Sequence, residues 1–171
     1  GGVTIVPKTV VHLAENARYS TEFELIQGAA GVVELDYQGY CEKDAVLDMK
    51  ARLYGRLNDS IHIREAVQLK GENAVGVLTS HIALKEQAQA IIENEIIAEA
   101  AYSRGHVDCK EIVQGEAQAR AIPIVFVKDH RAHVTHEAAI GSVDSKQLET
   151  LLSRGLTEDE ATDLIIKGLL S

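Results

Sequence analysis

Tryptophan is absent, and aromatic residues make up only 4% of the chain. A core built from large rings is therefore excluded. Ala, Val, Ile and Leu must fill the interior, which suits closely stacked strands with small inward side chains. Positive charge is also scarce: 17 Lys and Arg stand against 26 Asp and Glu, for a net charge of −9. No basic cluster interrupts that balance. A general nucleic-acid surface and an anionic-membrane surface both need a basic footprint, so neither is expected. No apolar run approaches the length of a bilayer-spanning helix, and no signal peptide is visible. The only cysteines are Cys41 and Cys109, with no CxxC, which excludes a disulfide framework and a zinc ribbon. A reducing cytoplasm is the expected compartment. There is no Gly-rich phosphate loop, no GxSxG and no HExxH, so the chain is not expected to bind ATP.

What is present is a rhythm. The 171 residues suffice for one domain with a sizeable core. Short β-like runs alternate with polar turns from Val3 to Ala138. Pro7 interrupts the first of them and removes a ladder donor, which marks an edge or entry segment. Residues 43–53 fit either a helical turn or an irregular strand. Residues 85–101 can be read as an amphipathic helix, although their β-branched content leans toward strand. Recurrent strands with short breaks suit a sandwich, a barrel or a β-solenoid, and periodicity alone does not choose among them.

The end of the chain is more explicit. Asp144 can cap a helix, with Gln147 at its third position. Leu148, Leu151 and Leu152 form an apolar stripe, and Gly155 suits a left-handed stop. Thr157 caps a second helix, with Glu160 at its third position and Glu158 and Asp159 favoured by the helix dipole. Ala161, Leu164, Ile165 and Leu169 form its stripe. Two helices this short are not stable alone and must pack on the strands or on another protein. The expected division is a strand core over 1–143 and a two-helix segment over 144–171.

Between core and tail lies Ala132 to Ser142, which holds His133, His136 and Glu137. In an extended strand His133 and His136 point to opposite faces, and Glu137 shares a face with His133. Cys109 follows Arg104 by five positions. Its plain reading is a small core residue. His62 and His81, each beside Ile, are expected to face outward. His106, His130 and His133 read as polar surface, and Cys41 as filler.

Several of these residues resemble one family in order and spacing. His136-Glu137-Ala138, Gly141, Gln147-Leu148, Ser153-Arg154-Gly155-Leu156, Glu160-Ala161 and Leu164 to Gly168 look like the C-terminal signature of the SufB/SufD proteins. The resemblance runs from about Ile61 to the end. Its members are non-ATPase subunits of an iron–sulfur cluster assembly complex. It implies a right-handed parallel β-helix followed by a short helix pair. It also implies a scaffold, not an enzyme. The Arg-to-Cys spacing ending at Cys109 resembles SufB, as does His-Glu-Ala, whereas SufD more often has His-Gly-Ala. Cys109, His136 and Glu137 are accordingly the expected ligands of a transient iron–sulfur cluster, held at a subunit interface and lost on purification in air. The implied partners are a SufC-like ABC ATPase and a second copy or a SufB/SufD paralogue. Leu148, Leu151, Leu152, Leu164, Ile165 and Leu169 would dock the ATPase. Full-length members are longer and carry an N-terminal helical region without counterpart here. Two alternatives stand beside this reading. One is a purely structural, SufD-like partner that binds no cluster. The other is a β-solenoid carbohydrate-active enzyme, for which no acid pair stands out.

Overall fold

The computed structural model describes residues 2–29 and 31–170. Eleven strands precede two helices: β1 (Val3–Ile5), β2 (Lys8–Leu13), β3 (Arg18–Leu25), β4 (Gly31–Cys41), β5 (Val46–Gly55), β6 (Ser60–Leu69), β7 (Val75–Leu84), β8 (Gln89–Ala98), β9 (Arg104–Val113), β10 (Gln118–Val127), β11 (His133–Gly141), α1 (Ser145–Leu152) and α2 (Glu158–Leu170). From β2 to β9 each strand pairs in parallel with the strand two places on, and β1 pairs with β4, so the chain winds as a flattened β-helix of two facing sheets. One sheet runs β1-β4-β6-β8-β10, with β2 also on β4. The other runs β3-β5-β7-β9-β11. Residues 43–53 thus lie largely in β5, and 85–101 contain β8 rather than a helix. Both are parallel strands buried on the inner face.

The winding steps by 28 residues in its first pairings and by 29 in the later ones. Val46 pairs with Val75, Val75 with Arg104, and Arg104 with His133, each 29 residues on. Because strand side chains alternate, this step stacks like positions in columns that run along the axis. Leu35, Ile63 and Ile92 form one such inner column, and Met49, Leu78 and Val107 another. All six are buried. The facing sheets approach closely: a Cβ on Gly105 would lie 2.8 Å from Ile96 Cγ2. This is why small inward residues replace rings.

The corners repeat too. Asn16, Asp44, Asn73 and Tyr102 are left-handed at one edge, with φ of 57–62°. Gly28, Leu57, Glu86 and Gly115 are left-handed at the other. For a residue bearing a Cβ this costs roughly 1–2 kcal/mol. Backbone bonds between successive corners offset the cost, among them Asp44 N–H to Glu72 O at 2.9 Å and Gln87 N–H to Leu57 O at 3.0 Å.

The tail keeps its expected caps. Asp144 Oδ1 accepts from Gln147 N–H at 2.8 Å, and Gly155 has φ +94°. Thr157 N–H donates to Glu160 Oε2 at 2.8 Å, while Glu160 N–H donates back to Thr157 Oγ1 at 3.3 Å. The tail doubles back instead of leaving the end of the solenoid. α2 lies on the outer face of the second sheet, where Tyr54 Oη donates to Asp163 Oδ1 at 2.6 Å, Lys85 Nζ to Asp159 at 2.8 Å, and Arg52 to Leu170 O at 2.6 Å. These contacts set its rotation. Ala161, Thr162, Ile166 and Leu170 are buried, and Ile166 and Leu170 form one apolar cluster with Tyr54, Ala83 and Val143. Leu164, expected in the stripe, is 51% exposed. Among the described residues no helix is long and apolar enough to cross a membrane.

The interior is not wholly aliphatic. Glu65 pairs in register with Asn94 on one sheet, and Ser80 with Cys109 on the other. The four meet across the core as a polar seam. Glu65 Oε2 accepts from Ser80 Oγ at 2.9 Å and from Asn94 Nδ2 at 3.1 Å. Asn94 Oδ1 accepts from the Cys109 thiol at 2.8 Å. Glu65 is fully buried, and its Oε1 has no hydrogen-bond partner among the described residues. Burial pushes its carboxyl up to about 7, against the opposing pull of the Ser80 and Asn94 hydrogen bonds.

That shift has a sign. Below the ordinary value of 4.5 the acid is protonated folded or unfolded, and its burial carries no ionisation cost. Between 4.5 and about 7 only the unfolded chain ionises, so stability falls as pH rises. The loss is on the order of 3 kcal/mol. Glu65→Gln keeps the acceptor and removes the titration. Denaturant unfolding at pH 4.5 and pH 8 is expected to show wild type losing about that much more than the variant. Equal losses would show that Glu65 is not held protonated.

Candidate functional site

The expected site residues lie on β9 and β11, the last two strands of the second sheet. Their register is fixed by nine consecutive pairs, including His136 with Val107, Glu137 with Asp108, and Ala138 with Cys109. Alternation then assigns the faces. Cys109, Glu111, His136 and Ala138 are on the inner face. Asp108, Lys110, His133 and Glu137 are on the outer face. The structure therefore brings Cys109 and His136 to one side, two residue pairs apart along the strands, and places Glu137 on the other. Among the described residues no three His, Cys, Asp or Glu side chains are grouped to hold a metal.

Cys109 is 1% exposed. Burial pushes its thiol up to about 12, reinforced by Glu111, Glu65 and Asp108. At neutral pH it is a protonated thiol that donates to Asn94, and any role as a ligand requires that proton to leave. His136 is exposed because the last turn has no strand beyond it. Glu137 is exposed beside Asp108. Asp108 accepts from Lys110 Nζ at 3.1 Å and lies 3.1 Å from His81 Nε2. Burial works to raise its carboxyl, and these two neighbours hold it below the ordinary range.

Glu111 is the residue that sequence reasoning passed over. It is the next inner position after Cys109, 1% exposed, and neither carboxylate oxygen has a hydrogen-bond partner among the described residues. Burial, helped by Asp108, pushes it up to about 7. Counting by two from Cys109 places Glu111 inward, so an acid on the buried side was available as a signal. Glu65, Ser80 and Asn94 were passed over as well. Only the 29-residue step brings them to Cys109.

The remaining expectations hold their places. His62 faces outward, 3.5 Å from Glu93. His81 also faces outward, toward Asp108. His106 Nδ1 is 2.7 Å from Thr135 Oγ1 on the outer face. His130 and His133 are exposed. Cys41 is fully buried and unpaired.

Two further surfaces matter. β10 and β11 each have one strand neighbour, which leaves the end of the solenoid open. Its apolar side chains are exposed there: Val125 39%, Phe126 57%, Val127 48% and Ile140 52%. On the tail, an open groove of about 520 Å³ is lined by Asp144, Lys146, Gln147, Thr150, Leu151 and Ile165. Leu152 and Leu164 are exposed, while Leu148, Leu151, Ile165 and Leu169 are half-buried.

The chain matches known proteins along nearly its whole length. The profile of the SUF system FeS cluster assembly, SufBD core domain, covers residues 2–169. The match thus extends well upstream of Ile61. An iron–sulfur cluster assembly SufBD family protein of Methanocaldococcus jannaschii is 42% identical over 170 residues, which is 99% of this chain and 54% of that protein. One from Pyrococcus horikoshii is 37% identical over 169 residues, 99% of this chain and 52% of the relative. The iron–sulfur cluster assembly protein SufD of Bacillus subtilis is 26% identical over 127 residues, 72% of this chain and 29% of SufD. The chain spans about half the length of the first two relatives. With a β-helix, a two-helix tail and a profile match over 2–169, it belongs to the SufBD family of iron–sulfur cluster assembly proteins.

Proposed function

We propose that this chain serves as a scaffold subunit of a Suf-type complex, carrying iron and sulfide as cargo and not transforming a substrate. The observation that most supports the reading is the single profile match running through both the β-helix and the tail. In this reading Cys109 is a ligand of the cargo, with His136 on the same inner face. Ligation exchanges the thiol proton for iron, and His136, at the open end, stands where arriving iron meets the chain. Glu137 faces away from both, so any contact it makes with the cargo is from outside the solenoid. A reducing cytoplasm goes with two unpaired thiols. The division into a core over 1–143 and a tail over 144–171 is part of the same proposal.

The open end, with its unpaired edges on β10 and β11, is the surface for a second copy or a SufB/SufD paralogue. The tail, with its groove and exposed leucines, is the surface for a SufC-like ABC ATPase. A second reading, a SufD-like partner without cluster, draws on the depth of Cys109, which is 1% exposed.

Three measurements test these proposals. Anaerobic reconstitution with iron and sulfide is expected to give a reducible visible absorption, and a colourless product would favour the SufD-like reading. Light scattering at high concentration is expected to show a dimer, and a strict monomer would remove the open end as a self-pairing surface. For the tail, Leu152→Asp or Leu164→Asp would place an unpaired charge in the interface, at a cost of several kcal/mol. Titration with the purified ATPase should then show well over a tenfold loss of affinity. Unchanged affinity, in variants that melt as wild type does, would take the tail out of the docking site.

A further inference from the structure

β3 is the first strand of the second sheet, and its only strand neighbour among the described residues is β5. The edge of the first sheet at that end is interrupted at Val6 and Pro7, between β1 and β2. β3 is not interrupted. Its residues Arg18–Leu25 keep continuous register with β5, with no bulge and no proline. Such an edge is a template for another strand. The direction of its outward groups follows from one bond. Val46 N–H donates to Ala17 O at 2.9 Å, so Ala17 turns its carbonyl toward β5. Backbone direction alternates along a strand, so Arg18, Ser20, Glu22 and Glu24 turn their N–H and C=O groups away from β5.

The side chains along this edge are complementary to themselves. A second copy of β3 set antiparallel to the first, with Thr21 opposite Thr21, places Ser20 opposite Glu22, Tyr19 opposite Phe23 and Arg18 opposite Glu24. The backbone suits this register. Arg18–Glu24 and Ser20–Glu22 become the hydrogen-bonded pairs, while Tyr19–Phe23 and Thr21–Thr21 fall in the closer, non-hydrogen-bonded ones. Aromatic, threonine and opposite-charge pairs are those that stabilise antiparallel strands. A register centred on Glu22 would set that acid opposite itself, and one centred on Ser20 would separate the aromatics.

The charges within one copy leave room for such a partner. Glu22 and Glu24 share the single guanidinium of Arg52, which also donates to Leu170 O. Arg18 is exposed and forms no ion pair among the described residues. A second copy gives Arg18 an acid and Glu24 a further cation. It also covers inner side chains of this first layer, on which no other described layer stacks: Tyr19 is 37% exposed, and Ile5, Val11 and Phe23 are only partly buried.

We propose that two copies of this chain pair through β3, antiparallel about a two-fold axis at Thr21, joining two five-stranded sheets into one of ten. The contact is at the end of the solenoid opposite to β10 and β11 and does not rest on the proposed function.

A thiol at the two-fold axis reads this contact whatever the other end does. Opposed residues of a non-hydrogen-bonded pair have Cα atoms about 4.5 Å apart, within the span of a disulfide. Cys41 and Cys109 are 0% and 1% exposed, so they give little background. Under mild oxidation Thr21→Cys is expected to form a disulfide-linked dimer much faster than Ser153→Cys, whose thiol is exposed on the tail and measures random encounter. Adding Arg18→Glu, or separately Glu24→Lys, sets like charges opposite each other at both symmetry-related positions and should lower the yield roughly fivefold or more. An equimolar mixture of the two charge variants restores opposite charges at both positions and should recover the linked dimer, now mixed. Should Thr21→Cys not fold, the charge variants without it, followed singly and mixed by sedimentation equilibrium, show the same loss and recovery. Linkage no faster than in Ser153→Cys, linkage that ignores the charges, or a mixture that dimerises no better than its parts overturns the proposal.

Discussion

Parallel pairing at a nearly constant step is the constraint on which this molecule depends. From β3 on, each ladder locks a strand to its neighbour over eight to ten residues, at an offset of 28 residues in the first pairings and 29 in the later ones. A slip of one residue would turn every inner side chain outward. The apolar columns therefore fix the register, and the register fixes everything that shares a column with them. Cys109 is next to Ala138, and Glu137 next to Asp108, because Met49, Leu78 and Val107 must stay inside.

A narrow aliphatic interior makes its few polar members matter. Ser80, Asn94, Glu65 and Cys109 satisfy one another only in part, and Glu111 is not satisfied by any of them. Packing does not require such a seam, since Leu or Ala at these positions would continue the columns. Burial raises both acids and the thiol together. Ionising any of the three inside the solenoid therefore costs free energy, which an arriving counter-charge would offset. The inner face holds the capacity to bind, while the outer face, with Asp108 set between His81 and Lys110, is already internally paired.

Much of this was legible in the sequence, for identifiable reasons. The caps at Asp144 and Thr157 and the stop at Gly155 are local chemistry, and each is where it was expected. The opposite facing of His136 and Glu137 follows from alternation alone. The strand in residues 85–101 was ambiguous because its outer face carries Ile91 and Ile97 among Gln89, Glu93 and Glu95, which blurs the polar/apolar alternation. The repeat itself was hidden. It is a repeat of geometry, and Leu57, Glu86 and Tyr102 occupy corner positions where glycine or asparagine would have announced a turn. The stripe of α2 was misplaced at Leu164 because its rotation is decided by Tyr54, Lys85 and Arg52, which lie more than seventy residues upstream. The pairing of Cys109 with Asn94 and Glu65 likewise needs the step between turns, which no local pattern carries.

The path of the tail has a mechanical meaning. α2 is not fastened to the strand that leads into it. Its bonds go to Arg52 and Tyr54 on β5 and to Lys85 just past β7, two strands in the middle of their sheet. A force applied to the helices is therefore delivered as shear across the centre of the solenoid. The terminal strand β11 receives it only through the short link from Ser142 to Asp144. The free end of the solenoid and the handle on its side are separate load points, joined through the strands that carry the polar seam.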